Sequence, residues 1–128
     1  MTKSTQARLL RAARAAAENA YAPFSKFKVG AAVLTAKGRI FSGCNIENSS
    51  YGLTICAERV AIFKAVSAGQ RGIQAVLVYT DTAGLTPPCG ACLQMISEFS
   101  ENPGIVLSNG HSTKTYRLKE LLPLGFRL

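Results

Sequence analysis

No apolar run in this chain of 128 residues approaches the roughly 20 that a membrane-spanning helix needs. Met1 to Arg14 carry basic side chains but no continuous apolar stretch of the kind found in a secretory signal. A chain without that signal is expected in a reducing compartment, here the cytoplasm, where its four cysteines serve as thiols or metal ligands rather than disulfides. Lys and Arg total 15 against 7 Asp and Glu, a net charge of +8, yet no run of five or more basic residues occurs. The aromatic-and-basic strand signatures of RNA-binding domains are also missing. A basic surface so dispersed is read as solubility rather than as a nucleic-acid interface, with a basic zinc-stabilised nucleic-acid binder kept as the competing class. There is no internal repeat, linker or low-complexity segment. With 48% hydrophobic and 17% charged residues the composition is globular, and residues 1–128 are expected to form one domain.

What is present reads as alternating helices and strands. Residues 4–20 carry Leu9, Leu10, Ala13, Ala16, Ala17 and Ala20 at helical spacing, with Ser4 or Thr5 as the cap and Pro23 as the stop; Arg8, Arg11 and Arg14 form a solvated basic stripe. Lys26–Thr35 and Arg39–Asn45 alternate as two strands around Ala36-Lys37-Gly38, which predicts an antiparallel hairpin. A loop over Ile46–Leu53 leads to a helix over Thr54–Ala68, with Thr54 as its cap. Ile73–Thr80 is a continuous apolar run, the pattern of a strand buried on both faces of a parallel sheet. A helix over Cys89–Ser100 turns Leu93, Ile96 and Phe99 inward. Strands at Ile105–Ser108 and Lys114–Arg117 flank the tight-turn signal Asn109-Gly110, and a helical turn at Lys119–Leu122 precedes the tail. His111, beside that turn, reads as surface. This order predicts an α/β fold, a three-layer α-β-α sandwich around a five-stranded mixed sheet.

Two short stretches carry chemistry: Cys56-Ala57-Glu58-Arg59 and Pro88-Cys89-Gly90-Ala91-Cys92. Cys56 falls at the start of one predicted helix, and Cys89 and Cys92 at the start of the next. Free N–H groups and the positive end of the helix dipole favour thiolates there, the form that binds metal. If the two helices follow neighbouring parallel strands, both starts lie at one edge of the sheet and can share an ion. Soft thiolates in tetrahedral array point to zinc. A closed structural site would take Cys44 as its fourth ligand, whereas a catalytic site leaves that corner to water. Glu58, two residues after Cys56, and Arg59, able to offset the net negative charge of three thiolates on Zn²⁺, favour the open site.

These motifs resemble the signature of the zinc-dependent nucleoside and nucleobase deaminases, Cys-x-Glu followed by Pro-Cys-x-x-Cys. Ala22-Pro23-Phe24-Ser25, Phe27-Lys28-Val29-Gly30-Ala31-Ala32, Gly43-Cys44-Asn45-Ile46-Glu47-Asn48 and Thr54-Ile55-Cys56-Ala57-Glu58-Arg59 are similar to cytidine deaminases over nearly the whole chain, and to the short, homotetrameric, three-cysteine branch in particular. The resemblance implies a cytidine-deaminase-like fold and hydrolytic deamination of cytidine and deoxycytidine in pyrimidine salvage. Cys56, Cys89 and Cys92 would hold zinc, with Arg59 compensating charge. Glu58 would take a proton from the zinc-bound water and pass protons to N3 and to the departing amino group. Phe27 would stack on the base, Asn45 and Glu47 would bind the ribose hydroxyls, and the main chain of Ala57 would read the pyrimidine edge. A carboxylate at Glu47 suits two hydroxyl donors and repels a 5′-phosphate, so the implied substrate is a free nucleoside. Tyr51 and Phe126 sit where the family uses an aromatic from a neighbouring subunit. Cys44 matches no ligand position and reads as a small buried apolar residue. Leu93 stands where the family usually has arginine, which leaves more of the charge compensation to Arg59.

Overall fold

The computed structural model covers residues 1–128. Its elements are α1 (Lys3–Ala17), β1 (Val29–Thr35), β2 (Ile40–Cys44), a single 3-10 turn at Tyr51–Leu53, α2 (Ala57–Ser67), β3 (Ile73–Thr80), α3 (Gly90–Glu98), β4 (Gly104–Ser108), β5 (Thr113–Arg117) and α4 (Leu118–Leu121). The strands form one sheet in the order β2-β1-β3-β4-β5. Only the β3–β4 pair is parallel, bridged by α3; the other three pairs are antiparallel.

Strand alternation decides which helix covers which face. Ala32, Ala75, Leu77, Tyr79 and Val106 point to one side and bury Leu9, Ala13 and Ala17 of α1. Val33, Val76, Val78, Ile105 and Leu107 point to the other and bury Ala61, Ile62 and Ala65 of α2 with Leu93 and Ile96 of α3. The result is the three-layer α-β-α sandwich on a mixed sheet that the element order implies. β3, the central strand, is buried along its length except at Gln74. It is nevertheless parallel on one side only, because β1 runs antiparallel beside it.

Several boundaries differ from the sequence reading, each for a local reason. α1 is capped by Thr2, whose hydroxyl accepts from the Thr5 N–H at 3.0 Å, rather than by Ser4 or Thr5, and it ends at Ala17. β1 begins only at Val29, since Lys26 adopts a left-handed conformation (φ 60°) that breaks an extended run. Thr54 does not cap α2. Its hydroxyl accepts from the Asn48 N–H, and Cys56 occupies the cap position. The β4–β5 connection is a four-residue loop, Asn109 to Ser112, rather than a two-residue turn. The Asn109 side chain accepts from the N–H groups of His111 and Ser112, and Gly110 supplies a positive φ of 88°. His111 is exposed, as expected.

Two glycines fix how closely the helices approach. A Cβ at Gly43 of β2 would lie 2.6 Å from the Ala61 nitrogen and 2.8 Å from the Ala57 carbonyl oxygen, so α2 rests directly on the strand. At Gly30 of β1 a Cβ would lie 1.9 Å from the Ala13 carbonyl oxygen of α1. Neither obstacle is a flexible side chain, so the backbone itself must move. Gly30→Ala should therefore destabilise the protein by more than about 3 kcal/mol, read as a drop in Tm or as loss of soluble protein, whereas Gly52→Ala, with open space around it, should leave Tm nearly unchanged.

Candidate active site

β2 and β3 run in the same direction with β1 between them, and each is followed by a helix on the same face of the sheet. The starts of α2 and α3 therefore meet at one sheet edge, although the strands leading to them are not neighbours as the sequence reading supposed. Cys56 is the N-cap of α2 and Cys89 the N-cap of α3, both with extended backbone and neither using its side chain to cap its own helix. Cys92 follows in the first turn of α3 and is fully buried. The two sulfurs not spent on capping and the third from within the turn converge. The Sγ atoms of Cys56, Cys89 and Cys92 all lie within 4.8 Å of one another, and those of Cys89 and Cys92 are 3.6 Å apart. A tetrahedral zinc with Zn–S bonds of about 2.3 Å spaces its sulfurs by about 3.8 Å, so the donor set and its spacing fit that ion. Cys44 lies outside the cluster, at the end of β2, and is half-buried rather than fully enclosed. The fourth corner is not filled by a protein thiol.

Arg59 reaches back one turn of α2 and donates from Nη2 to Cys56 Sγ at 3.4 Å. The Cys56 thiol is held at about 5, well below its usual range, first by a hydrogen bond from Cys92 and then by Arg59. Cys92 shifts the opposite way, because the proton it donates to Cys56 is harder to remove. The guanidinium in turn is held charged by the Cys56 sulfur. Leu93 packs into the core with Ile96 and Leu107. Arg59 is the cation whose charge acts on the Cys56 thiolate.

Glu58 sits at the second position of α2 and is only 4% exposed. Burial raises its carboxyl pKa, and the nearby Cys56 thiolate adds to the rise. It lines a cavity of about 240 Å³ together with Cys56, Ala57, Cys89, Phe27, Asn45 and Glu47. A larger cleft, of about 630 Å³, opens at the opposite edge of the sheet near Arg71, Arg117 and Arg127, away from the cysteines. The sequence-derived cavity residues are thus brought together, with two exceptions. Tyr51 (76% exposed) packs edge-on against Phe24 outside the cavity, and the side chain of Phe126 (66% exposed) projects from a tail held by Gln94, which donates to the Phe126 carbonyl at 2.7 Å.

Asn45 and Glu47 are less free than the sequence suggests. Asn45 Oδ1 accepts from the Val29 N–H at 2.9 Å and its Nδ2 donates to the Phe27 carbonyl at 2.7 Å. Glu47 Oε1 accepts from the N–H groups of Phe24 and Ser25, and Oε2 from the Ser25 hydroxyl. With three internal bonds on a carboxylate that offers about four lone-pair sites, Glu47 has room for about one further hydroxyl, not two. The Ser25 hydroxyl bond, followed by the backbone donors, holds the Glu47 carboxyl below the usual carboxylate range, so it stays ionised. Sequence reasoning assigned no role to Ser25, Thr86 or Pro87, all of which line the cavity. Ser25 belongs to the Ala22-Pro23-Phe24-Ser25 stretch, but only the folded contact to Glu47 reveals it.

Comparison with known proteins agrees with this geometry. The family model of the cytidine and deoxycytidylate deaminase zinc-binding region matches residues 3–108. A cytidine deaminase of Halalkalibacterium halodurans is 53% identical over 120 residues, which cover 92% of this chain and 91% of that one. Among solved structures, a cytidine deaminase from Burkholderia pseudomallei superimposes with a TM-score of 0.89 at 45% identity, covering 98% of this chain and 100% of the other. One from Mycobacterium tuberculosis gives 0.83 at 36% identity, covering 96% and 98%.

The cofactor is Zn²⁺, by the donor set here and by the family region matched. Metal analysis of the purified protein should find about one zinc per chain. Cys56→Ala, Cys89→Ala and Cys92→Ala should each lower zinc affinity by more than about a hundredfold against a competing chelator, while Cys44→Ala keeps it.

Proposed function

The chain belongs to the cytidine and deoxycytidylate deaminases, and on that premise we propose how its residues divide the work. The reaction is zinc-dependent hydrolysis of the 4-amino group of cytidine or deoxycytidine, giving uridine or deoxyuridine and ammonia. The observation that carries the reading is the buried Glu58 carboxyl beside three converging sulfurs in one cavity.

Cys56, Cys89 and Cys92 hold the metal, and Arg59 keeps their combined charge in check. Zinc, when bound, supplies a Lewis acid that makes a water molecule acidic enough to attack near neutral pH. Glu58 accepts the proton given up by the attacking water and delivers it to N3 of the ring; it then takes the second proton, from the new C4 hydroxyl, and passes it to the amino group as the C4–N bond breaks and the C4 carbonyl forms. Its raised pKa suits this traffic, because a carboxyl poised nearer neutrality both takes and returns a proton readily. Phe27, 38% exposed at the cavity wall, stacks on the base. The buried main chain of Ala57 reads the pyrimidine edge. Asn45 and the ionised Glu47 bind the ribose hydroxyls, and the charge on Glu47 disfavours a 5′-phosphate, which makes the free nucleoside the substrate.

Residues 1–128 act as one catalytic domain, in the cytoplasm and in pyrimidine salvage. No helix is long and apolar enough to cross a membrane. The working form is a homotetramer in which Tyr51 and Phe126 close a neighbour's cavity. The support for this is the exposed apolar rim of Tyr21, Phe24, Tyr51 and Leu53 on the loops that frame the cavity, together with the exposed Phe126 ring.

Zinc-loaded protein mixed with cytidine should show a fall in ultraviolet absorbance matched by ammonia release, with cytidine 5′-monophosphate a much poorer substrate. Glu58→Ala should lower kcat by about a thousandfold or more while keeping its zinc. A zinc-loaded wild type that leaves both nucleosides untouched would refute the assignment.

A further inference from the structure

Phe27 is suspended by its own peptide groups between the two residues that bind the sugar. Its carbonyl accepts from Asn45 Nδ2 at 2.7 Å, and its N–H donates to Ser25 Oγ at 3.0 Å. The same Ser25 hydroxyl gives its single proton to Glu47 Oε2. A hydroxyl carries one donor and two lone pairs, so Ser25 serves as an obligate relay here: it donates toward the carboxylate and accepts from the base-stacking residue. An ionised end to such a chain strengthens both links. Between Ser25 and Phe27, Lys26 is held at φ 60°, a conformation a lysine keeps only where its neighbours impose it. Glu47 Oε1, taking the N–H groups of Phe24 and Ser25, anchors the other side of that turn.

We infer that Ser25 is a positioning residue that couples sugar recognition at Glu47 to base stacking at Phe27, so that the two halves of a nucleoside are recognised as one unit. The inference rests on the roles given above to Phe27 and Glu47 and adds a dependence between them. A hydroxyl of the ligand that settles on the remaining site of Glu47 fixes that carboxylate, which fixes the Ser25 rotamer, which fixes the height of the Phe27 ring over the cavity. A sugar bound without the base, or a base without the sugar hydroxyls, would engage only half of a mechanically joined pair.

The test is a double-mutant cycle on kcat/KM for cytidine with Glu47→Gln and Phe27→Leu, run once with Ser25 and once with Ser25→Ala. With Ser25 present, the double substitution should cost less than the product of the two single losses by about fivefold or more; in the Ser25→Ala background the losses should multiply to within about twofold. Ser25→Ala alone should raise KM about tenfold with kcat within about twofold and zinc content unchanged, and Ser25→Thr, which keeps the hydroxyl, should restore KM to within about threefold. Ser25 is exposed on a loop, so zinc content and Tm will show that the variants fold. An active wild type in which the two losses multiply, a coupling that survives Ser25→Ala, or a Ser25→Ala effect confined to kcat would each overturn the coupling while leaving the deaminase reading intact. A zinc-loaded wild type inert toward cytidine would overturn that reading and the coupling with it.

Discussion

Three sulfurs within 4.8 Å of one another cannot all be ionised unless something positive is placed among them, and much of this molecule is arranged around that constraint. The sulfurs of Cys56 and Cys89 stand at the positive ends of two helices, Arg59 lays its guanidinium on Cys56, and the donor set suits a divalent soft ion. The same constraint explains why the caps of α2 and α3 are cysteines. A Ser or Asp cap would stabilise the helix by about 1 kcal/mol more, and the chain forgoes that to point sulfur outward. Glu58 is then buried next to a concentration of negative charge, and its proton affinity rises for that reason as well as from desolvation.

The sheet turns this local chemistry into a site. Because β2 and β3 point the same way, their helices deliver Cys56 and Cys89 to one edge, and the close rest of α2 on Gly43 sets the depth at which Ala57 and Glu58 enter the cavity. Part of the remaining wall comes from loops 22–28 and 45–47, beside Thr86 and Pro87. These loops are tied together by side-chain bonds from Asn45 and Glu47 and by main-chain bonds through Tyr21, whose N–H donates to the Asn45 carbonyl and whose own carbonyl accepts from Glu47. Residues that would touch the ligand also hold the wall together, so binding and architecture share the same atoms.

Much of this was visible in the amino-acid order. β3 runs over Ile73–Thr80 as the sequence implies, because a run of apolar β-formers between polar breakers leaves no other choice, and the meeting of Cys56, Cys89 and Cys92 follows from two motifs that place cysteines at helix starts. The starts of β1 at Val29 and α2 at Ala57 are not legible in the order of residues. Thr54 looks like a cap by residue type but spends its hydroxyl on Asn48, and Lys26 carries no mark of a left-handed conformation, which it adopts between Ser25, bound to Glu47, and Phe27, bound to Asn45. The assumption of adjacent parallel strands also failed, since the insertion of β1 between β2 and β3 is a long-range pairing that periodicity cannot report. The internal bonds of Glu47 were hidden for the same reason: Ser25 becomes its partner only when distant loops meet.

Cys56 and Cys89 belong to different helices separated in the chain by α2 and the central strand, and β3 is in register only once β1 is beside it. An ion can be gripped by all three sulfurs only after these long-range pairings exist, so metal capture comes late on the folding route. Its binding energy then bears chiefly on how slowly the finished protein comes apart, and hardly on how fast it forms. Zinc in this architecture works less as a seed than as a bolt, shot home after the parts are in place.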